Sequence, residues 1–340
     1  MNRRDFLKLS GLLGVGLSSL TVVPAWAESV LFNRTLHKVT RTRLSMGTFV
    51  TMTAMDPSRD RAEEAIGRAF EETDRLTRLM NRFDDSAAVA HLNKEGSLKD
   101  VPPEVGEVLV KSQEIHRITG GYFDISVKPV VDLFKDCAEK GNFRQPSESR
   151  LKALLDLVDS DMIELTARSV RFRKPGMGIT LDGIAKGYIV DRASDVLTRH
   201  GITNHLINAG GDIRAAGLRD EKKPWTVAIQ DPNKGKNYPD IIQMSRGAIA
   251  TSGNYEVYFD REKLFHHIIN PSTGLSPVLS TSVSILAETA ILADALATGV
   301  FVMGPEEGRK FLERLPGCEG LIIGKDGRIA KSSGWKSAAI

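Results

Sequence analysis

Cysteine is almost absent. Cys137 and Cys318 are the two in 340 residues, which excludes a small domain stapled by disulfides. An oxidising compartment would let them pair, but sequence separation does not decide whether they meet. An excess of one charge is missing as well: 46 Lys and Arg stand against 43 Asp and Glu, for a net +3. That balance argues against a nucleic-acid-binding or anionic-membrane surface. No internal repeat, low-complexity tract, coiled coil or flexible linker is visible. Nor is there a G-x-x-x-x-G-K-[ST] phosphate loop, a G-x-G-x-x-G opening a helix, or an H-E-x-x-H zinc signature. A G-x-S-x-G nucleophile elbow is lacking too. A P-loop nucleotidase, a Rossmann dehydrogenase and an α/β-hydrolase are therefore disfavoured.

What is present begins with an address. Asn2-Arg3-Arg4-Asp5-Phe6-Leu7-Lys8 precedes an apolar run over 9–23 and then Ala25-Trp26-Ala27. A basic start, a short apolar stretch and an A-x-A site make 1–27 a secretory signal peptide. The paired arginines before Phe-Leu-Lys point to the twin-arginine route. The run is short and rich in Gly and Ser for a membrane anchor, and no cysteine adjoins the cleavage site. The expectation is a soluble periplasmic protein of 28–340, with a charge of about +1 once the leader's three basic residues and one acidic residue are gone.

The chain is organised around 180–217. Ile184, Ala185, Tyr188, Ile189, Ala193, Val196 and Leu197 recur at helical spacing. Asp182 stands ahead of that stripe, where a carboxylate caps free N–H groups, and Gly201 follows it as a left-handed cap. A strand over 205–209 leads to Gly210-Gly211-Asp212, a bend suited to passing close to a neighbour. This reads as an ordinary α-to-β unit, or as a glycine-flanked helix start that receives phosphate. Further helices are expected over 60–80, 103–119, 147–157, 288–303 and 305–315, and a loop over 81–92 leads into a short helical turn. Strands are expected over 43–54, 122–127, 225–229, 248–251, 280–286 and 320–323, with a hairpin from 162–165 and 170–172. Without strict alternation, an α+β (mixed α/β) sandwich fits better than a doubly wound parallel sheet.

Three constellations bear chemistry. Asp294 and Thr298 are four apart on one helix face, and hard oxygen donors of this kind suit Mg²⁺ or Ca²⁺, not zinc. An ordinary helix with a solvated Asp is the bland alternative, although its apolar neighbours suggest burial and a need for a partner. His266 and His267 lie on a Pro/Gly-bounded loop over 266–274, as a general base or as part of a surface hairpin. Tyr122-Phe123-Asp124 and Met46-Gly47-Thr48 offer flat surfaces beside glycines, either for an aromatic ring or as plain core.

Taken in order, Met46-Gly47-Thr48, Gly121-Tyr122-Phe123-Asp124, Gly183-Ile184-Ala185-Lys186-Gly187-Tyr188, Asn208-Ala209-Gly210-Gly211-Asp212, the 267–274 loop and Asp294-Ala295-Leu296-Ala297-Thr298 resemble the ApbE family, the FAD:protein FMN transferases. The resemblance spans almost the whole of 28–340 and implies a mixed-sheet, T-fold-type domain with packed helices. It implies a Mg²⁺-dependent enzyme that moves the FMN half of FAD onto a Thr or Ser hydroxyl, with AMP leaving. Acceptors in the family are subunits of redox complexes such as the Na⁺-translocating NADH:quinone reductase and Rnf. By the same resemblance Asp294, Thr298 and Ala297, with backbone oxygen from Gly183 to Ala185, hold the metal. Met46, Phe83, Tyr122, Phe123, Asp124, Thr180, Asp182, Lys186 and Ile269 meet FAD. His267 accepts the acceptor's proton, or Asp294 shares that role. A FAD pyrophosphatase, a non-catalytic FAD-binding protein and a flavin oxidoreductase are the alternatives. Two positions depart from the family pattern: Thr180-Leu181-Asp182-Gly183 replaces Asp-Leu-Gly-Gly, and Phe83 stands where a Tyr is common.

Overall fold

The computed structural model describes residues 27–32, 35–139, 143, 145–220, 222–233, 235, 238–255, 258–259 and 265–338. The leader read over 1–27 lies, except for Ala27, outside them. In chain order the elements are β1 (Ala27–Leu31), β2 (His37–Ser45), β3 (Thr48–Asp56), α1 (Arg59–Met80), α2 (Ala88–Glu95), β4 (Ser97–Lys99), α3 (Pro103–Ile118), a 3-10 turn (Ile125–Val127), α4 (Lys128–Glu139), α5 (Glu148–Leu155), a second 3-10 turn (Ser160–Met162), β5 (Ile163–Leu165) and β6 (Ser169–Phe172). There follow α6 (Ala185–Arg199), β7 (Asn204–Ala209), β8 (Asp212–Ala216), β9 (Trp225–Ala228), β10 (Ile241–Met244), β11 (Arg246–Gly253), β12 (Ser280–Ala287), α7 (Ala290–Met303), α8 (Pro305–Leu312), β13 (Glu319–Gly324) and β14 (Ile329–Lys331).

Nine strands form one sheet in the order β1-β2-β3-β7-β8-β11-β12-β13-β14. All its pairings are antiparallel, which makes the fold α+β, as expected. Side chains alternate across a strand, so β8 sends Ile213 and Ala215 to a smaller core with Trp225, Val227 and Trp335. Its Asp212 and Arg214 are left for the opposite face, against the helices. There α7 lies on β11 and β12, α6 packs between α1 and α7, and α1 covers β2 and β3. The main core fills this layer with Phe70, Ile184, Ile189, Leu296, Val300 and Phe301. A third cluster around Phe134 joins α4 to the loop bearing Ile269. No helix among the described residues is long and apolar enough to cross a membrane.

Several local expectations change. The strand read over 43–54 is two strands, β2 and β3, joined at Met46-Gly47 with φ of 52° and 74°. Two left-handed residues make the type I′ turn that matches strand twist. Met in the first of those places hides the signal, which Asn or Asp usually carries. The stretch 122–127 is not a strand. Gly120 and Gly121 turn the chain at φ 64° and 86°, and the Asp124 carboxylate then accepts the Ser126 N–H at 2.7 Å, capping the 3-10 turn that runs into α4. Helix α4 and strands β1, β4, β10 and β14 went unread. Cys137 and Cys318 are both free, Cys318 in the main core and Cys137 against the third cluster.

Candidate active site

Helix α7 is apolar around its circumference except at Thr298 and at Asp294, which is 5% exposed. A buried carboxylate needs donors, and Asp294 Oδ2 accepts the Gly187 N–H at 2.9 Å. That N–H belongs to the first turn of α6, where backbone donors have no partner within the helix. Asp294 therefore caps α6 from a neighbouring helix. The expected cap, Asp182, does not do so: the residue before α6 is Ile184 and makes no side-chain cap bond. The exchange is reciprocal, because the Asp191 carboxylate of α6 accepts the Ala290 and Ile291 N–H groups of α7, both at 2.9 Å. Glycine permits this approach: a Cβ on Gly187 would lie 2.3 Å from the Ala290 carbonyl oxygen and 2.8 Å from Asp294 Cβ.

One turn along, Thr298 Oγ1 is 3.2 Å from Ser252 Oγ. A Cβ on Gly183 would sit 2.9 Å from that same Thr298 oxygen, so the 183–185 backbone rests against the Asp294–Thr298 face. Ala297 is wholly buried, and only its backbone has a donor atom to offer. Sequence reasoning assigned Asp212 no role, yet it is 1% exposed and within hydrogen-bonding reach of Asp294. Its Oδ2 accepts no hydrogen bond among the described residues and lies 3.4 Å from Lys186 Nζ. Burial and the charge of Asp294 hold the Asp212 carboxyl well above the ordinary carboxylate range. Burial likewise raises Asp294, against the pull of Lys186 and the Gly187 N–H. The Asp294 carboxyl, the Thr298 hydroxyl and nearby backbone oxygen form a hard-donor set, and the unused oxygen of Asp212 beside them shows that the buried cluster is not saturated among the described residues. These residues fit Mg²⁺.

At the rim, Arg82 has its side chain 4% exposed and bridges Asp132 Oδ1 at 3.1 Å and Asp182 Oδ2 at 3.2 Å. Its guanidinium lies 4.4 Å from the centre of the Phe83 ring, and Lys135 Nζ lies 4.9 Å from the same centre. Phe83 is 73% exposed, an aromatic platform held beside two cations. Asp182 has its side chain 57% exposed, so what desolvation its neighbours impose works only weakly to raise its carboxyl. The charges of Arg82, Lys135 and His267 outweigh that and leave it below the ordinary value. His267, half-buried, thus shares its electrostatic neighbourhood with Asp182. The adjacent His266 is held by Pro277 and Ser276.

The remaining sequence-derived residues divide. Met46 sits at the β2–β3 turn, and a Cβ on Gly210 would be 2.4 Å from Thr48 Oγ1; that glycine turn leads into Asp212. The Thr180 N–H donates to the Ile125 carbonyl at 2.8 Å, tying the approach to α6 to the 3-10 turn. Phe123 packs beside Gly299 of α7, and Tyr122 OH donates to Glu307 at 3.0 Å. Two residues are committed elsewhere. The Asp124 carboxylate is taken up by the N–H and hydroxyl groups of Ser126 and Ser160, with His116 Nδ1 at 3.2 Å. Ile269 is buried in the Phe134 cluster.

Residues 46–322 match the ApbE family. A Haemophilus influenzae protein named FAD:protein FMN transferase is 32% identical over 244 residues, spanning 69% of this chain and 70% of the relative. The Escherichia coli K12 protein of the same name is 27% identical over 303 residues, 86% of this chain and 85% of the relative. The crystal structure of the ApbE protein from Thermotoga maritima superposes with a TM-score of 0.79 at 30% identity, covering 87% of this chain and 97% of that one. The flavin transferase ApbE from Vibrio cholerae gives 0.73 at 26% identity, covering 91% and 98%.

Proposed function

This chain belongs to the ApbE family, and from that premise we propose that it is an exported FAD:protein FMN transferase. In this reaction the bond joining the two phosphates of FAD breaks and a new phosphoester forms on a Thr or Ser oxygen of an acceptor protein. AMP leaves, and the hydroxyl proton passes to a base of the enzyme. The observation that carries the reading is the meeting of Asp294 and Thr298 with the Gly183 backbone across the α6–α7 contact.

Asp294, Thr298 and backbone oxygen of 183–185 and Ala297 are the residues that would hold Mg²⁺. When bound, the ion gathers phosphate oxygens and neutralises charge on the leaving group. Phe83 offers the stacking surface and Met46, Thr180, Asp182 and Lys186 line the approach. His267 takes the acceptor's proton, and Asp294, buried and raised in pKa, is the competing base. The leader read over 1–27 supports work in the periplasm after twin-arginine export. Subunits of an NADH:quinone reductase or Rnf-type redox complex are the acceptors.

The test is the intact mass of an acceptor domain incubated with the protein from residue 28 onward, FAD and Mg²⁺. It should rise by one FMN unit, and a chelator should abolish the rise. Hydrolysis of FAD to FMN and AMP without an adduct would instead identify a pyrophosphatase. Tight FAD binding without turnover would identify a carrier.

A further inference from the structure

Asp212 is absent from every role assigned above. Its strand places it on the helix side of the sheet, under the first turn of α6 and beside Asp294, with one oxygen 3.4 Å from Lys186 Nζ and accepting no hydrogen bond among the described residues. With both buried acids ionised, two carboxylates face the single ammonium of Lys186, itself partly exposed at the edge, and one negative charge is in excess. Excess charge in a buried cluster is costly unless a further cation joins it. A divalent ion held at Asp294 and Thr298 would turn that excess into one positive charge, to which an anionic diphosphate is drawn.

We propose that Asp212 is the positioning residue of the cation site: without ligating the ion, its carboxylate tethers Lys186 at the site's edge and supplies the second negative charge that draws the ion to Asp294. This rests on the cation reading of the site. Groups standing behind metal ligands typically change affinity 10–100-fold when altered. Lys186 works in the opposite sense, as a fixed positive charge that the ion must tolerate.

The opposed signs give the experiment. Mn²⁺ is titrated into the protein from residue 28 onward, without FAD, and free Mn²⁺ is read by electron paramagnetic resonance. Asp212→Asn, which keeps shape and loses charge, is expected to weaken Mn²⁺ binding roughly 10-fold or more. Lys186→Met is expected to tighten it. A residue that merely supported the fold would weaken binding in both variants. Unchanged affinity in Asp212→Asn overturns the proposal, as does absence of Mn²⁺ binding in the wild type. Should Asp212→Asn not fold, Lys186→Met decides, and equal or weaker binding there overturns it. FMN transfer by the wild type, read from acceptor mass, is scored separately. Transfer with Mn²⁺ affinity insensitive to both changes would sink this inference and leave the enzymatic reading standing.

Discussion

Gly187 and Asp294 touch across two helices, the backbone N–H of one donating to the carboxylate of the other at 2.9 Å. Because a Cβ at position 187 would meet the Ala290 carbonyl oxygen at 2.3 Å, the bond exists only while residue 187 has no side chain. Gly187→Ala is expected to force α6 and α7 apart. It should cost about 1–3 kcal/mol, the usual range for overpacking, and FMN transfer should fall further than stability does. Urea denaturation beside the acceptor-mass assay measures both. A variant of full activity would mean that this approach does not set the site.

Asp294 and Thr298 share the proposed cation but not its charge. Asp294→Ala removes a charged ligand and the cap of α6, and should lower transfer on the order of 100-fold or more, as loss of one preorganised electrostatic group does. Thr298→Ala removes a neutral donor, and raised Mg²⁺ should restore much of its activity. Magnesium titrations of transfer rate separate the two patterns.

His267→Ala should retain FAD binding and slow transfer by roughly 10²–10⁴-fold, the usual worth of a general base. Equilibrium dialysis with FAD and single-turnover transfer provide the readings. Undiminished transfer would move the proton to Asp294.

His205 makes acid stability testable away from the site. Its Nδ1 donates to the Ile202 carbonyl at 3.0 Å, which leaves Nε2 to accept the Ser194 hydroxyl at 2.7 Å. Burial pushes the imidazole down to about 4 from an ordinary 6.5. With the folded value the lower one, the unfolded chain binds this proton first. Stability is then whole above pH 6.5 and lost as pH falls towards about 4. A shift of that size corresponds to about 3 kcal/mol. His205→Gln should flatten this part of the pH profile, as measured by urea midpoints between pH 7 and 4.5. An equal loss in both proteins would assign the acid sensitivity to other groups.

The long elements were legible because periodicity is local. The stripe of Ala65, Ile66, Ala69, Phe70 and Leu76 marks α1, and the run around Leu296, Val300 and Phe301 marks α7. The pairing of Asp294 with Thr298 was legible too, since four residues along a helix fix a common face. The type I′ turn at Met46-Gly47 and the 3-10 turn after Asp124 were not. The first has a residue that seldom marks such a turn, and the second is capped by a side chain whose other donor, Ser160, comes from a distant part of the chain.

The sequence by itself determined which faces are buried, where the helices run and which family motifs stand in order, for these depend on neighbours a few residues apart. Only the tertiary structure decided which buried groups meet: that Asp294, and not Asp182, caps α6, that Asp182 turns to Arg82, and that Asp212 comes to lie beside Asp294. The period of a strand or helix says that a side chain points inward. The charge or donor waiting there is supplied by another element, through packing that no local pattern encodes.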